Sequence, residues 1–335
     1  MLLIARLMCI SLLFPTLTGN NKVVAGKKGN TYSSKPYRHS SPKVPARFSD
    51  PIVTTDSADC IIPFSRAGNL IIIKAKVDSI EGNFILDTGA PKLILNTTYF
   101  RHYPDEGNNE EAGGITGTAA SSAPTMVAEL GFGPVHYFRV EADRINLGHI
   151  ENSKGIKIHG LLGMQLFKKF EMIIDYENSI LHLHLLKNKK EAKNYKHEML
   201  KDVTAYNTFD ITILENKLLT NGQLNGKKLI FVIDTGAESN VLDSRLPDKV
   251  FENVEIVKRI ALTGSGNRKI DALYGDMKNV NIGELNVATL PVLVTNLEKM
   301  CFSYNRCIDG MLGFDFLSLH KIGFNFMTNK MYIWK

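Results

Sequence analysis

The chain of 335 residues has only four cysteines, none paired as Cys-x-x-Cys, and no run of about 20 apolar residues. The first scarcity argues against a structural zinc site, and the second excludes a multi-span membrane chain. No Gly-x-Ser-x-Gly and no phosphate loop occurs, and His197-Glu198-Met199-Leu200-Lys201 ends in lysine where a zinc-protease helix needs a second histidine. The nine histidines show no metal-ligand spacing, so neither a metal nor an organic cofactor is expected. A charge excess of one sign is also missing from most of the chain. The formal net charge of +6 is matched by the segment from Asn20 to Asp50, with seven basic residues against one acid. The remainder is near neutral, and nothing in it calls for nucleic acid.

What is present at the N-terminus is Arg6, an apolar run Leu7 to Phe14, Pro15, and the small residues Thr16, Thr18 and Gly19. This reads as an export signal over 1–19, with a buried N-terminal helix as the alternative, and the run is too short to span a bilayer. Export implies a periplasmic, cell-surface or secreted protein without a stable membrane span. Residues 20–50 are rich in Gly, Ser, Lys and Pro without apolar periodicity, the composition of a disordered basic tail or a pro-segment. In an oxidising compartment Cys301 and Cys307 could close a small loop and leave Cys60 unpartnered; three free buried thiols are the other reading.

Apolar, β-branched runs dominate the rest: Leu70 to Val77, Phe84 to Leu86, Met172 to Ile174, Ile180 to Leu183, Lys228 to Ile233 and Lys330 to Trp334. Separated by Asn-Gly and Glu-Gly turns, they predict an all-β fold with short helices, one of them over Met164 to Phe170. The polar stretch Lys187 to Asn194 marks a boundary, giving domains over 51–195 and 196–335.

An internal repeat organises these runs. Phe84-Ile85-Leu86-Asp87-Thr88-Gly89-Ala90 aligns without a gap on Phe231-Val232-Ile233-Asp234-Thr235-Gly236-Ala237, 147 residues later. Ile115-Thr116-Gly117-Thr118 meets Leu262-Thr263-Gly264-Ser265 at the same offset, and Gly160-Leu161-Leu162-Gly163 meets Gly310-Met311-Leu312-Gly313 at an offset of 150. Three correspondences in one order mean two copies of one unit. Each copy carries an acid at the end of an apolar strand, a costly choice for stability alone. A pseudo-twofold axis between the copies would set Asp87 and Asp234 face to face. Close carboxylates resist double ionisation and share a proton, so one serves as base and the other as acid. Such a pair can activate water against an amide carbonyl.

These motifs resemble the pepsin and retropepsin class of aspartic proteases, and two full copies in one exported chain resemble the two-domain bacterial aspartyl proteases with retropepsin-like lobes. The resemblance covers roughly residues 55 to 335. It implies a bilobal fold of two pseudo-twofold-related β lobes, with Asp87 and Asp234 as the catalytic dyad. Thr88 and Thr235 would cross-bond beneath the dyad, and Gly89 and Gly236 would keep the backbone close to it. Gly114, Gly117, Gly264 and Gly266 are flap candidates, with ordinary surface turns as the alternative. Both motifs carry Ala90 or Ala237 where pepsins have Ser or Thr. The implied activity is endoproteolysis of a polypeptide substrate by a monomer with both lobes in one chain; the alternative is a catalytically silent peptide-binding or regulatory protein on the same fold.

Overall fold

The computed structural model describes residues 50–105, 110–114, 117–263, 269–301 and 307–335. The expected signal segment, all of the basic tail but Asp50, and the flap candidates Gly264 and Gly266 lie outside the described residues. The fold is mostly β, as the apolar runs predict. Leu70–Val77 and Lys330–Trp334 are strands with the bounds expected, and the runs at 84, 172, 180 and 228 lie inside Ile80–Asp87, Phe170–Asp175, Ile180–Leu185 and Lys227–Ile233. Where a strand meets solvent on one side, burial alternates, as at Lys74 and Lys76 between the buried Ile73, Ala75 and Val77. The Asn225-Gly226 turn joins Lys217–Leu224 to Lys227–Ile233, both turn residues having positive φ (47° and 75°), as a right-twisted two-residue hairpin requires.

One expected helix shortens. Residues Met164–Phe167 form a single 3-10 turn, and Phe170 instead opens a fully buried strand, Phe170–Asp175. The strand pairs with neighbours on both sides, and burial of every residue from Phe170 to Asp175 outweighs the helical spacing of its first apolar residues.

The two halves repeat one local arrangement. In the first, Gly160–Gly163 runs parallel to Phe84 to Asp87 and antiparallel to Ile94 and Leu95. In the second, Gly310–Leu312 runs parallel to Phe231 to Ile233 and antiparallel to Val241 and Leu242. The inserted strand begins with glycine because the backbones touch: a Cβ on Gly160 would lie 2.1 Å from the Ile94 carbonyl oxygen, and one on Gly310 would lie 2.5 Å from that of Val241. Behind each loop sits its own small apolar cluster, Ala90, Ile94 and Leu161 in one and Ala237, Val241 and Met311 in the other.

Between the halves lies a shared run of six strands in the order Tyr206–Leu214, Lys330–Trp334, Ile322–Asn325, Phe170–Asp175, Ile180–Leu185, Asp59–Pro63. Its central pairing is antiparallel, and Ile173 stands opposite Gly323, its own counterpart at the 150-residue offset. The pseudo-twofold axis therefore passes through this pair. The connecting segment caps a short helix, Lys189–Asn194, with the Asn188 side chain accepting from Glu191 N at 2.9 Å. Cys307 is disulfide-bonded and Cys60 is a free buried thiol, in line with the bridged reading of the cysteines.

Candidate active site

Asp87 ends the strand Ile80–Asp87, and Asp234 follows the strand Lys227–Ile233. Both are fully buried. Each strand is held by the inserted glycine-initiated strand, so the acids emerge from equivalent points and meet on the axis. Their loops turn back sharply: Gly89 N and Ala90 N donate to Asp87 Oδ1, both at 2.9 Å, and Gly236 N donates to Asp234 Oδ1 at 2.8 Å. The other oxygen of each, Oδ2, receives no hydrogen bond from the described residues. The backbone thus fixes one oxygen of each carboxyl and leaves the other, buried one without a partner among the described residues.

The glycines after the acids measure how close the loops come. A Cβ on Gly89 would lie 2.4 Å from Asp234 Oδ2, and one on Gly236 would lie 2.5 Å from Asp87 Cγ. Each glycine makes room for the carboxylate of the opposite loop, the role the resemblance implies for it.

Beneath the acids the threonines interlock. The Thr88 hydroxyl accepts from Thr235 N at 3.0 Å and donates to Ile233 O at 3.0 Å. The Thr235 hydroxyl accepts from Thr88 N at 3.0 Å and donates to Leu86 O at 2.8 Å. Four buried backbone groups are satisfied by two hydroxyls, and each half depends on the other for them.

Electrostatics follow from this enclosure. Burial pushes the Asp87 carboxyl well above the ordinary carboxylate range, and repulsion from Asp234 adds to the rise. Burial also raises Asp234, against the opposing pull of the Gly236 amide. Two carboxyls raised side by side resist losing both protons, so the doubly ionised pair is disfavoured.

Of the flap candidates, Gly114 and Gly117 pair with each other at the tip of the hairpin formed by Glu110–Gly114 and Gly117–Phe132. In the second half the strands Val254–Thr263 and Lys269–Ile282 pair up to Thr263 and Lys269. The alignment passes over two further charged residues beside the loops, Glu238 and Lys154, which meet across the two halves. No repeat signal marks them, because Glu238 stands opposite Pro91 in the alignment.

Comparison with curated protein sequences returns no match. Among solved structures, basic 7S globulin from soybean is similar with a TM-score of 0.44 and 11% identity, over 82% of this chain and 94% of that one. Residues 220–316, which contain Asp234-Thr235-Gly236 and Gly310-Met311-Leu312-Gly313, match the family described as aspartyl protease.

Proposed function

We propose that the protein is an exported aspartic endopeptidase in which Asp87 and Asp234 activate a water molecule against a peptide bond. The observation that carries this reading is the arrangement of the pair: two buried carboxyls on equivalent loops, each with Oδ1 held by backbone amides and Oδ2 left without a hydrogen bond from the described residues. In the singly protonated pair, the carboxylate takes a proton from water as its oxygen attacks the carbonyl carbon, while the carboxylic acid gives its proton to the carbonyl oxygen. The resulting tetrahedral diol collapses as the C–N bond breaks. The departing amine takes one proton from the dyad and a hydroxyl proton returns to it, which restores the starting state. The threonine interlock supplies rigidity, since acid and base act together only at fixed separation.

Export is supported by the apolar run Leu7 to Phe14 and by the bridged Cys307, because disulfides persist in oxidising compartments. The Gly114–Gly117 hairpin is the element suited to fold over a bound polypeptide. The six-stranded junction within one chain supports a monomer containing both lobes.

The test is hydrolysis of an unfolded polypeptide from acidic to neutral pH, with and without a statine-type transition-state analogue. Asp87→Asn and Asp234→Asn should each abolish nearly all turnover while the fold persists. Binding of the analogue without any hydrolysis would replace the enzyme reading by a peptide-binding one, and substantial turnover in either single variant would overturn the dyad.

A further inference from the structure

Glu238 lies four residues after Asp234, yet its side chain leaves its own half of the molecule. Its Oε1 accepts from Asn69 N at 3.0 Å, and its Oε2 pairs with Lys154 Nζ. Its backbone carbonyl accepts from Asn69 Nδ2 at 3.4 Å. Both charged side chains are almost enclosed, Lys154 at 8% and Glu238 at 6% exposure, which makes this a buried ion pair rather than a solvated surface contact. Lys154 projects from the last turn of the helix Gly148–Lys154, and Asn69 lies in the turn between Ser65–Ala67 and Leu70–Val77. Gly68 in that turn has φ of 61°, and a Cβ there would lie 2.8 Å from Glu238 Oε1, so the turn closes directly onto the carboxylate. In the strand leading into the turn, Arg66 lies over the Phe314 ring at 5.6 Å, a further contact between the halves close to this grip.

The grip is one-sided. The repeat position of Glu238 is Pro91, which has neither a charge nor an acceptor side chain. The loop carrying Asp234 is therefore anchored in the first half by an acid, whereas the matching point of the Asp87 loop is Pro91, whose side chain can form no such ion pair.

We infer that Glu238 is a positioning residue for the dyad: gripped by Lys154 and the 68–69 turn, it holds the Asp234 loop at the distance from Asp87 at which one proton is shared. The inference rests on the proposed dyad chemistry. Mutual repulsion at short range contributes to the raised titration of the pair, so a loop freed to retreat would release the shared proton at lower pH. The alkaline limb of kcat/KM reports that release.

The experiment compares wild type with Glu238→Ala, Glu238→Gln, Lys154→Met and the double variant Lys154→Met/Glu238→Gln, all in the full chain, with hydrogen exchange of the 234–240 amides measured alongside. Glu238→Ala should lower kcat roughly tenfold or more with a smaller change in KM, shift the alkaline limb to lower pH, and speed exchange across 234–240. Lys154→Met leaves a buried carboxylate unpaired and should be worse than the double variant, in which the neutral amide still accepts from Asn69 N. If Glu238→Ala unfolds, the rank order of Lys154→Met below the double variant carries the test. Wild-type kcat, limb and exchange in Glu238→Ala would overturn the inference. Should the wild type hydrolyse nothing while Glu238→Ala still frees the 234–240 amides, the catalytic reading falls and the anchoring role stands.

Discussion

Replacing the Thr88 hydroxyl by a methyl group tests the interlock most directly. Thr88→Val keeps nearly the same shape but strands two buried backbone groups, Thr235 N–H and Ile233 C=O, which the hydroxyl satisfies at 3.0 Å each. Leaving a buried polar group unpaired costs about 1–3 kcal/mol, so the variant should lose roughly 2–6 kcal/mol. Thr88→Ser keeps both bonds and sheds one buried methyl, a loss of about 1 kcal/mol. The separation between the two variants is the diagnostic quantity, because both disturb the same site. Urea unfolding can be followed by the fluorescence of Trp334, the sole tryptophan, which packs on Tyr206 at 5.5 Å in the shared sheet. The expected order of midpoints is wild type, then Ser, then Val, and Val should also lose turnover because the loops are no longer locked. A Val variant as stable as the Ser variant would refute the argument that the hydroxyls, rather than the surrounding packing, join the halves.

Gly236→Ala should cut kcat by roughly 100-fold or more while leaving most of the fold intact, since its Cβ would stand 2.5 Å from Asp87 Cγ and must displace that carboxyl; near-normal turnover would count against the tight approach of the loops. Glu171 is buried in the shared sheet beside Asn325 and is pushed up to about 7, chiefly by burial, from an ordinary 4.5. Its neutral form is favoured in the fold, so this contribution is complete below about pH 4.5 and lost as pH rises through about 7, a swing of about 3 kcal/mol. Glu171→Gln should therefore flatten the fall in Tm between pH 5 and pH 8, and an unchanged slope would assign the pH dependence elsewhere. Ala90 and Ala237 offer no hydroxyl to the carboxylates, so the double variant Ala90→Ser/Ala237→Ser should carry the acidic limb of kcat/KM to lower pH; a limb that stays or rises would exclude this control of the dyad.

The meeting of Asp87 and Asp234 is legible in the amino-acid sequence because it rests on contiguous residues that occur twice: Asp-Thr-Gly-Ala aligns on itself, and Gly-Leu-Leu-Gly or Gly-Met-Leu-Gly follows in the same order. Strand bounds at Leu70–Val77 and Lys330–Trp334 are legible because turn residues fence apolar runs. The Met164 segment misleads for a physical reason: apolar residues buried all round carry no period to separate helix from strand. The grip on Glu238 is invisible in the sequence since its partners come from a turn 169 residues away and a helix 84 residues away, and only folding brings them together. The polar stretch at 187–194 is a connection in the chain, yet the strands on either side of it join in one run across the axis.

That junction has a consequence for synthesis. When the ribosome has made the chain only as far as Asn194, the strand Phe170–Asp175 has Ile180–Leu185 on one side and an open edge on the other. Its proper neighbour, Ile322–Asn325, is translated only after the whole intervening second-half sequence. The nascent first half thus waits with an unpaired, largely apolar strand until that downstream strand is made, and this edge is the natural target for a chaperone or for misassembly with another nascent copy. Completion of this sheet is a late event, fixed by the arrival of Ile322–Asn325 rather than by the folding of the first half alone.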